Sequence, residues 1–111
     1  MTVTVSVLIP AKIAEASQTT QYTSTGVTTL IDKFTATNYS AVAATLSVNL
    51  VTLAGSAGNL NLITKTKTLQ PAEVYTFPEL VGQALAPGDF ISTIAGTATS
   101  INIRSNGRVV T

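Results

Sequence analysis

The sequence predicts an all-β fold: a two-sheet antiparallel β-sandwich, jelly-roll-like, with at most one short helix. Apolar and polar residues alternate along most of the chain, as in "VTVSV" near the start and "SINIRS" near the end. Turn-forming residues interrupt this alternation at short intervals, which is typical of sandwiches. Threonine supplies 20 of the 111 residues, beside 11 valines and 8 isoleucines. These β-branched residues favour strands over helices.

Nine strands are expected, at about residues 2–9, 13–24 with a break, 28–37, 43–53, 60–69, 73–77, 90–95, 98–105 and 108–110. The turn signals between them include Thr25-Gly26, "NYS" at residues 38–40, "AGSAGN" at residues 54–59 and "APGD" at residues 86–89. The pair Asn106-Gly107 predicts a two-residue hairpin turn between the last two strands.

One stretch departs from this alternation, "PELVGQAL" at residues 78–85. Pro78 suits the first position of a helix, and Glu79 suits its first turn. Leu80, Val81 and Leu85 follow at helical offsets. The stretch therefore predicts one or two helical turns that connect two strands.

The first ten residues are expected to form an extended N-terminal strand or arm, and residues 11–111 a single sandwich domain. Val3, Val5, Val7 and Ile9 alternate with polar residues, so we expect them on one side of the segment. Pro10 should then stop the ladder. Two alternatives stay open: an arm that contacts a partner, or an ordinary first strand. The apolar stretch is too short to span a bilayer and lacks the features of a signal peptide.

The composition excludes several classes of function. Only 10% of the residues are charged, the net charge is +1, and the basic residues are scattered, so a nucleic-acid-binding stripe is not expected. The chain contains neither histidine nor cysteine, which excludes disulfides and thiol catalysis and disfavours a transition-metal site. No spacing pairs the carboxylates Asp32, Glu73, Glu79 and Asp89 for acid and base catalysis. We therefore expect no enzyme activity, no cofactor and no metal.

The candidate residues are instead contacts to a partner protein. Tyr39 falls in the turn "NYS" and should be exposed, and surface tyrosines favour interfaces. Arg104 and Arg108 flank the expected hairpin turn, where they either contact a partner or keep the sheet end soluble. The full set of candidate contacts is Val3, Val5, Val7, Ile9, Tyr39, Arg104 and Arg108.

Residues 68–111 resemble the C-terminal part of small virion-associated proteins of tailed phages. The recurrent pieces are Leu69, Pro71, Glu73 and Tyr75 at a strand entry, then Gly82, Leu85, "PGD" at residues 87–89 and Ile91, and the closing "I-R-S-G-R-V". Upstream, "TTQYTSTGVTTLIDKFTATNYS" at residues 19–40 looks like the matching N-terminal half. Together with the length and composition, these pieces resemble the capsid decoration proteins, also called cement or staple proteins, of epsilon-type short-tailed phages.

The resemblance implies a structural virion protein that binds the outside of the phage head and joins neighbouring major capsid subunits against the pressure of the packaged DNA. In that role symmetry favours a homodimer, because a self-complementary pair matches the quasi-two-fold positions between capsomers. The scattered charges predict no contact with nucleic acid, and the lack of signal-peptide features predicts synthesis in the host cytoplasm without a membrane partner. An alternative is a tail or head-fibre module that binds host surface carbohydrate, although the absence of tryptophan weakens it. A polysaccharide-active enzyme would require a carboxylate pair that the spacing does not provide.

Overall fold

Nine antiparallel strands form two packed sheets, which confirms the predicted all-β sandwich. The computed structural model describes every residue from Met1 to Thr111. The strands are β1 (Val3–Ile13), β2 (Thr19–Thr23), β3 (Thr28–Asn38), β4 (Ala44–Val51), β5 (Leu62–Leu69), β6 (Val74–Tyr75), β7 (Ala84–Leu85), β8 (Phe90–Ala95) and β9 (Ile101–Val110). A single 3-10 turn at Asn59–Asn61 is the only helical element. The fold contains no apolar helix of the length that a membrane-spanning helix requires.

The strand order is that of a jelly roll. One sheet has the order β1-β9-β3-β6, with β7 pairing the other end of β3, and the second has the order β2-β8-β4-β5. The first four strands alternate between the two sheets, so the chain crosses the sandwich at each of these connections. This is the double-sheet arrangement of jelly rolls.

The core lies between the sheets and consists of aliphatic side chains around a small aromatic cluster. Phe34 and Phe77 are fully buried, and their rings meet edge to face at 4.9 Å between centroids. Tyr75 adds a second edge contact to Phe77 at 4.6 Å. Such pairs stabilise a core beyond the area that they bury.

The predicted hairpin turn at Asn106-Gly107 is wrong. Strand β9 continues through both residues and lies between β1 and β3, with Gly107 opposite Ser6 on one side and Ile31 on the other. The glycine permits close approach of the β3 backbone rather than a change of direction. Pairing on both sides of β9 therefore outweighs the local turn preference of the dipeptide.

The predicted helical turns at residues 78–85 are also wrong. Separate turn bonds run from Leu80 N–H to the Phe77 carbonyl and from Gln83 N–H to the Leu80 carbonyl, at 3.0 and 3.1 Å. Gly82, at φ +86°, then redirects the chain into β7, and its N–H donates to the Ile31 carbonyl at 2.7 Å. Hydrogen bonding to β3 thus takes the backbone groups that a helix would have used.

The N-terminal segment is part of β1, which pairs antiparallel with β9 and crosses the expected boundary between residues 10 and 11. The ladder does not stop at Pro10, because β1 is an edge strand and its register shifts again between Ile9 and Lys12, so the proline lies in a bulge that requires no ladder N–H from it. The register shifts at Leu8, between Val7 and Ile9, and both Leu8 and Ile9 are buried. Ile9 therefore faces the core, and the prediction that it shares a face with Val3, Val5 and Val7 is wrong.

Candidate interaction surface

The solvent-facing side of the five-stranded sheet is the main candidate surface, and we call it the outer face. Residues opposite each other in an antiparallel pair point to the same side of the sheet. Along β9 the buried residues alternate with exposed ones. The exposed residues of β9 and the residues that lie opposite them in β1 and β3 therefore define the outer face, together with the Val3–Val110 pair at its end. These residues are Val3, Val5, Val7 and Ile13 of β1, Asn102, Arg104, Asn106, Arg108 and Val110 of β9, and Leu30, Lys33, Thr35 and Thr37 of β3.

Five of the seven predicted contact residues lie on this outer face: Val3, Val5, Val7, Arg104 and Arg108. Val5 is directly opposite Arg108 in the ladder. Arg104 lies four residues away along the same strand, about 13 Å from Arg108. The structure thus joins an apolar edge strand and a cationic central strand into one continuous surface.

The two arginines do not meet at a hairpin tip, as the sequence suggested, and their electrostatic environments differ. Arg108 donates to both carboxylate oxygens of Asp32, with Nη2 at 2.8 Å from Oδ1 and Nε at 3.0 Å from Oδ2. These hydrogen bonds and the charge of Asp32 raise the pKa of Arg108. Arg104 and the neighbouring Lys33 have no ion pair. The cations available on the outer face are therefore Arg104 and Lys33.

Asp32 and Lys33 were not among the predicted site residues. The signal for them in the sequence is a pair of consecutive charged residues between Ile31 and Phe34, which interrupts the alternation of β3. The buried residues of β3 are Thr29, Ile31, Phe34, Ala36 and Asn38, so the period of two breaks after Ile31. The register against β9 shifts at this point, which is the mark of a β-bulge. The bulge places Asp32 where it can reach Arg108.

The first half of β1 is exposed on both sides. Val3, Val5 and Val7 on the outer face keep 53%, 82% and 47% of their surface accessible. On the opposite side Thr4 is exposed and Ser6 is half-buried, so the second sheet gives this segment little cover. Residues 3–7 form an edge that protrudes from the sandwich.

The two remaining predicted contacts lie elsewhere. Ile9 is fully buried in the core and is unavailable to a partner. Tyr39 follows the end of β3, where its N–H donates to the Ser100 carbonyl at 3.0 Å, and its side chain is half-exposed. This is the opposite end of the sheet from Val3, so Tyr39 is separate from the outer face and its role as a contact stays a prediction.

Comparisons with protein-family models, curated proteins and solved structures find no match for this chain. A functional proposal therefore depends on the surfaces themselves and on the sequence resemblance. Fold alone would not decide the function in any case, because jelly rolls serve many functions.

The five carboxylates all accept hydrogen bonds from other groups of the protein. Glu15 accepts hydrogen bonds from Lys12 and Gln21, both at 2.9 Å, and the bond from Lys12 is the larger cause of its lowered pKa. Asp89 accepts from the backbone N–H groups of Leu53 and Ala86. Glu73 accepts from the N–H of Gln70 at 2.7 Å. No group of three acidic residues that could hold a metal ion is present.

Glu79 connects the two sheets. Its carboxylate accepts hydrogen bonds from Thr64 of β5 at 2.5 Å and from Tyr75 of β6 at 2.8 Å. Partial burial has the largest single effect on Glu79 and raises its pKa, but these hydrogen bonds and the charge of Lys67 together lower it. The same carboxylate raises the pKa of Tyr75. From the sequence, Glu79 was expected only as an acidic residue in the first turn of a short helix, without these partners.

A shallow groove of about 190 Å³ lies on the second sheet, against the loop that follows β4. Asn49 holds this loop in place by donating to the Gly58 carbonyl and to Asn61 Oδ1 at 3.0 and 2.7 Å. Thr66 lines the groove at φ +44°, an unusual conformation for a β-branched residue, and its N–H donates to Ser47 Oγ. The polar lining consists of Gln18, Ser47, Asn49, Asn59, Lys65 and Thr66, without an aromatic ring or a carboxylate.

Proposed function

We propose that this chain is a structural virion protein that binds the outside of a phage head and joins neighbouring major capsid subunits. The observation that supports it most directly is the outer face, where the protruding valines of β1 share one continuous sheet surface with Arg104 and Lys33. Residues 68–111 add their resemblance to decoration proteins of epsilon-type short-tailed phages. An extended surface of this kind suits contact with another protein better than it suits binding of a small substrate.

A decoration protein acts through many identical, modest contacts. Each bound copy stabilises the assembled state over the dissociated state, and the contributions add up over a closed shell. Such a role requires a stiff module with a broad surface. A jelly roll with a fully buried core and few charged residues meets that requirement.

The partner on the head is the major capsid protein. The valines of β1 would bury apolar surface there, while Arg104 and Lys33 would lie over an acidic patch. With few charges involved, binding should survive moderate salt, although the Debye length falls to about 3 Å at 1 M. We further propose a homodimer, because a self-complementary pair suits the two-fold positions between capsid subunits. The dimer would lie on the outer capsid surface, away from DNA and membrane, after synthesis in the host cytoplasm.

Reconstitution of stripped heads tests the proposal. Heads without the protein should release their DNA at a lower temperature than complete heads, and purified protein should rebind and restore the release temperature. Replacing both Arg104 and Lys33 by Glu should weaken rebinding, whereas Lys65→Glu on the second sheet should not. Stripped heads that neither rebind the protein nor differ from complete heads in thermal release of DNA would contradict it.

The alternative function is carbohydrate binding by a tail or head-fibre module, and the groove on the second sheet favours it. Its amides, hydroxyls and Lys65 are groups that hydrogen-bond sugar hydroxyls or a sugar carboxylate. Isothermal titration with surface polysaccharide of the host tests this alternative. Binding that is lost in both Gln18→Ala and Lys65→Ala, and kept in Arg104→Ala, would favour the groove over the outer face.

A further inference from the structure

The free edge of β1 presents an ordered row of unpaired backbone groups. Thr2 and Thr111 exchange both backbone hydrogen bonds, at 3.0 and 2.9 Å. The register from Val3 to Val7 against β9 is unbroken, and hydrogen-bonded residues alternate along an antiparallel ladder. Thr4 and Ser6 therefore bond toward β9. The N–H and C=O groups of Val3, Val5 and Val7 point to the free edge.

This edge lacks the features that normally prevent strand addition. Edge strands are commonly protected by charged side chains, by proline or by bulges. In β1 the first charged side chain is Lys12, the first proline is Pro10, and the first register shift lies at Leu8. Residues 3–7 are therefore a regular, uncharged and exposed edge that can accept another strand.

The sequence of this edge identifies the strand that fits it. The segment Val3-Thr4-Val5-Ser6-Val7 reads almost the same in both directions about Val5. We propose that β1 pairs antiparallel with β1 of a second copy of this chain, on a two-fold axis at Val5. Val5 then lies opposite Val5 of the partner subunit, and Val3 opposite Val7 of the partner subunit. Thr4 lies opposite Ser6 of the partner subunit.

This register satisfies every backbone group on the free edge of residues 3–7. Each of the three valine pairs exchanges two hydrogen bonds, about six in total across the junction. The valines meet on the outer face and the hydroxyls of Thr4 and Ser6 on the other face, and both kinds of cross-strand pair are favourable. Pro10 falls just past Met1 of the partner subunit, so its missing N–H is not needed. The five-stranded sheets of the two copies then join edge to edge into one continuous sheet, and the interface is isologous.

This inference rests on the homodimer proposed above, but it does not require a phage head. A strand from the capsid protein could use the same edge, but the near-palindromic sequence of residues 3–7 favours a second copy of this chain. The two occupants can be distinguished, because self-pairing needs no other protein and therefore occurs in purified protein.

Analytical ultracentrifugation of the full chain tests the pairing. The molar mass measured for the wild-type protein should be twice the monomer mass of 11.4 kDa. Val5→Lys and Val5→Glu should each sediment as monomers, because like charges would meet at the two-fold axis. An equimolar mixture of the two variants should form a heterodimer. Val5 is 82% exposed, so neither substitution disturbs the core, and Val42→Lys at another exposed valine is the matched control that should stay dimeric.

A monomeric wild type across the concentration range, or a dimer that persists in Val5→Lys, would overturn the pairing. Because no capsid is present in this experiment, its failure leaves head binding to be judged separately by reconstitution. Normal rebinding of monomers to heads would then show that capsid binding does not require the β1 pairing.

Cysteine substitution tests the register, since the chain has no cysteine of its own. Val5→Cys should crosslink to itself on oxidation, because opposite residues in a hydrogen-bonded pair have α-carbons about 5.5 Å apart. Val3→Cys and Val7→Cys should each remain uncrosslinked alone, with their own copies about 13 Å apart, and should crosslink when mixed. Self-crosslinking of Val3→Cys as complete as that of Val5→Cys would overturn this register.

Discussion

Gly107 in β9 lies directly against Leu30 in β3: a Cβ atom at position 107 would stand 2.1 Å from the Leu30 carbonyl oxygen. The same atom would also lie 2.9 Å from a methyl group of Leu8. The close approach occurs in the centre of the five-stranded sheet, where β1, β9 and β3 lie side by side. No side chain fits there without displacing the backbone of β3 or the side chain of Leu8.

Gly107→Ala should therefore destabilise the fold, because the backbone of β3 cannot move as a flexible side chain would. We expect a loss of about 1–3 kcal/mol in the free energy of unfolding, measured by denaturant titration. Gly58→Ala is the matched control, since a Cβ at that position meets nothing within 4 Å and φ is −164°. Equal stability of the two variants would contradict the close approach.

Asn38→Ala should also be strongly destabilising. The buried Asn38 amide donates to the carbonyls of Val42 and Leu69 at 2.8 and 2.9 Å, while its oxygen accepts from the N–H and hydroxyl of Ser40. Its loss leaves the Leu69 carbonyl without this partner, at a cost of about 1–3 kcal/mol. Thermal unfolding should show the decrease, while Asn102→Ala on the outer face should unfold like wild type.

Stability should fall at acid pH, in part through Glu79. The folded protein lowers the pKa of Glu79 below its ordinary value of 4.5. The resulting stabilisation is present above the unfolded pKa and is lost as the pH falls through the folded pKa. Glu79→Gln should thus flatten the decline in melting temperature below about pH 5. Glu15, whose pKa is also lowered, leaves a residual decline.

A double-mutant cycle of Glu79→Gln with Thr64→Val separates the contribution of the Thr64–Glu79 hydrogen bond from that of other groups that titrate at acid pH. Thr64 donates to the Glu79 carboxylate, so the two substitutions should be non-additive, as expected for residues in direct contact. If Glu79→Gln keeps the full pH dependence of the wild type, Glu79 does not contribute through its ionised form.

N-terminal truncation should have two distinct outcomes according to where it ends. Leu8 and Ile9 are buried, at 4% and 0% exposure, so deletion of residues 1–9 removes core side chains and should unfold or strongly destabilise the protein. Deletion of residues 2–7 removes the protruding edge only and should leave a folded sandwich. Circular dichroism distinguishes the two, and a stable fold after the longer deletion would contradict the place of Ile9 in the core.

Much of the fold was predictable because strand alternation is a local pattern. The turn at Asn38 to Ser40 and the exposure of Tyr39 follow from residue types within a few positions. The outward direction of Val3, Val5 and Val7 follows from the period of two. The break in that period after Ile31 was equally visible, although its consequence, the ion pair between Asp32 and Arg108, depends on which strand lies beside β3.

The sequence by itself determined an all-β sandwich, because alternation decides which side chains can be buried together and turn residues decide where strands end. Only the tertiary structure decided that Asn106-Gly107 continues a central strand, that Ile9 turns inward, and that Arg104 stays free while Arg108 is paired. Each of these depends on strands distant in the chain and on their register. Such pairings satisfy backbone groups and bury side chains on both sides of a strand, and together they outweigh the local preference of a dipeptide.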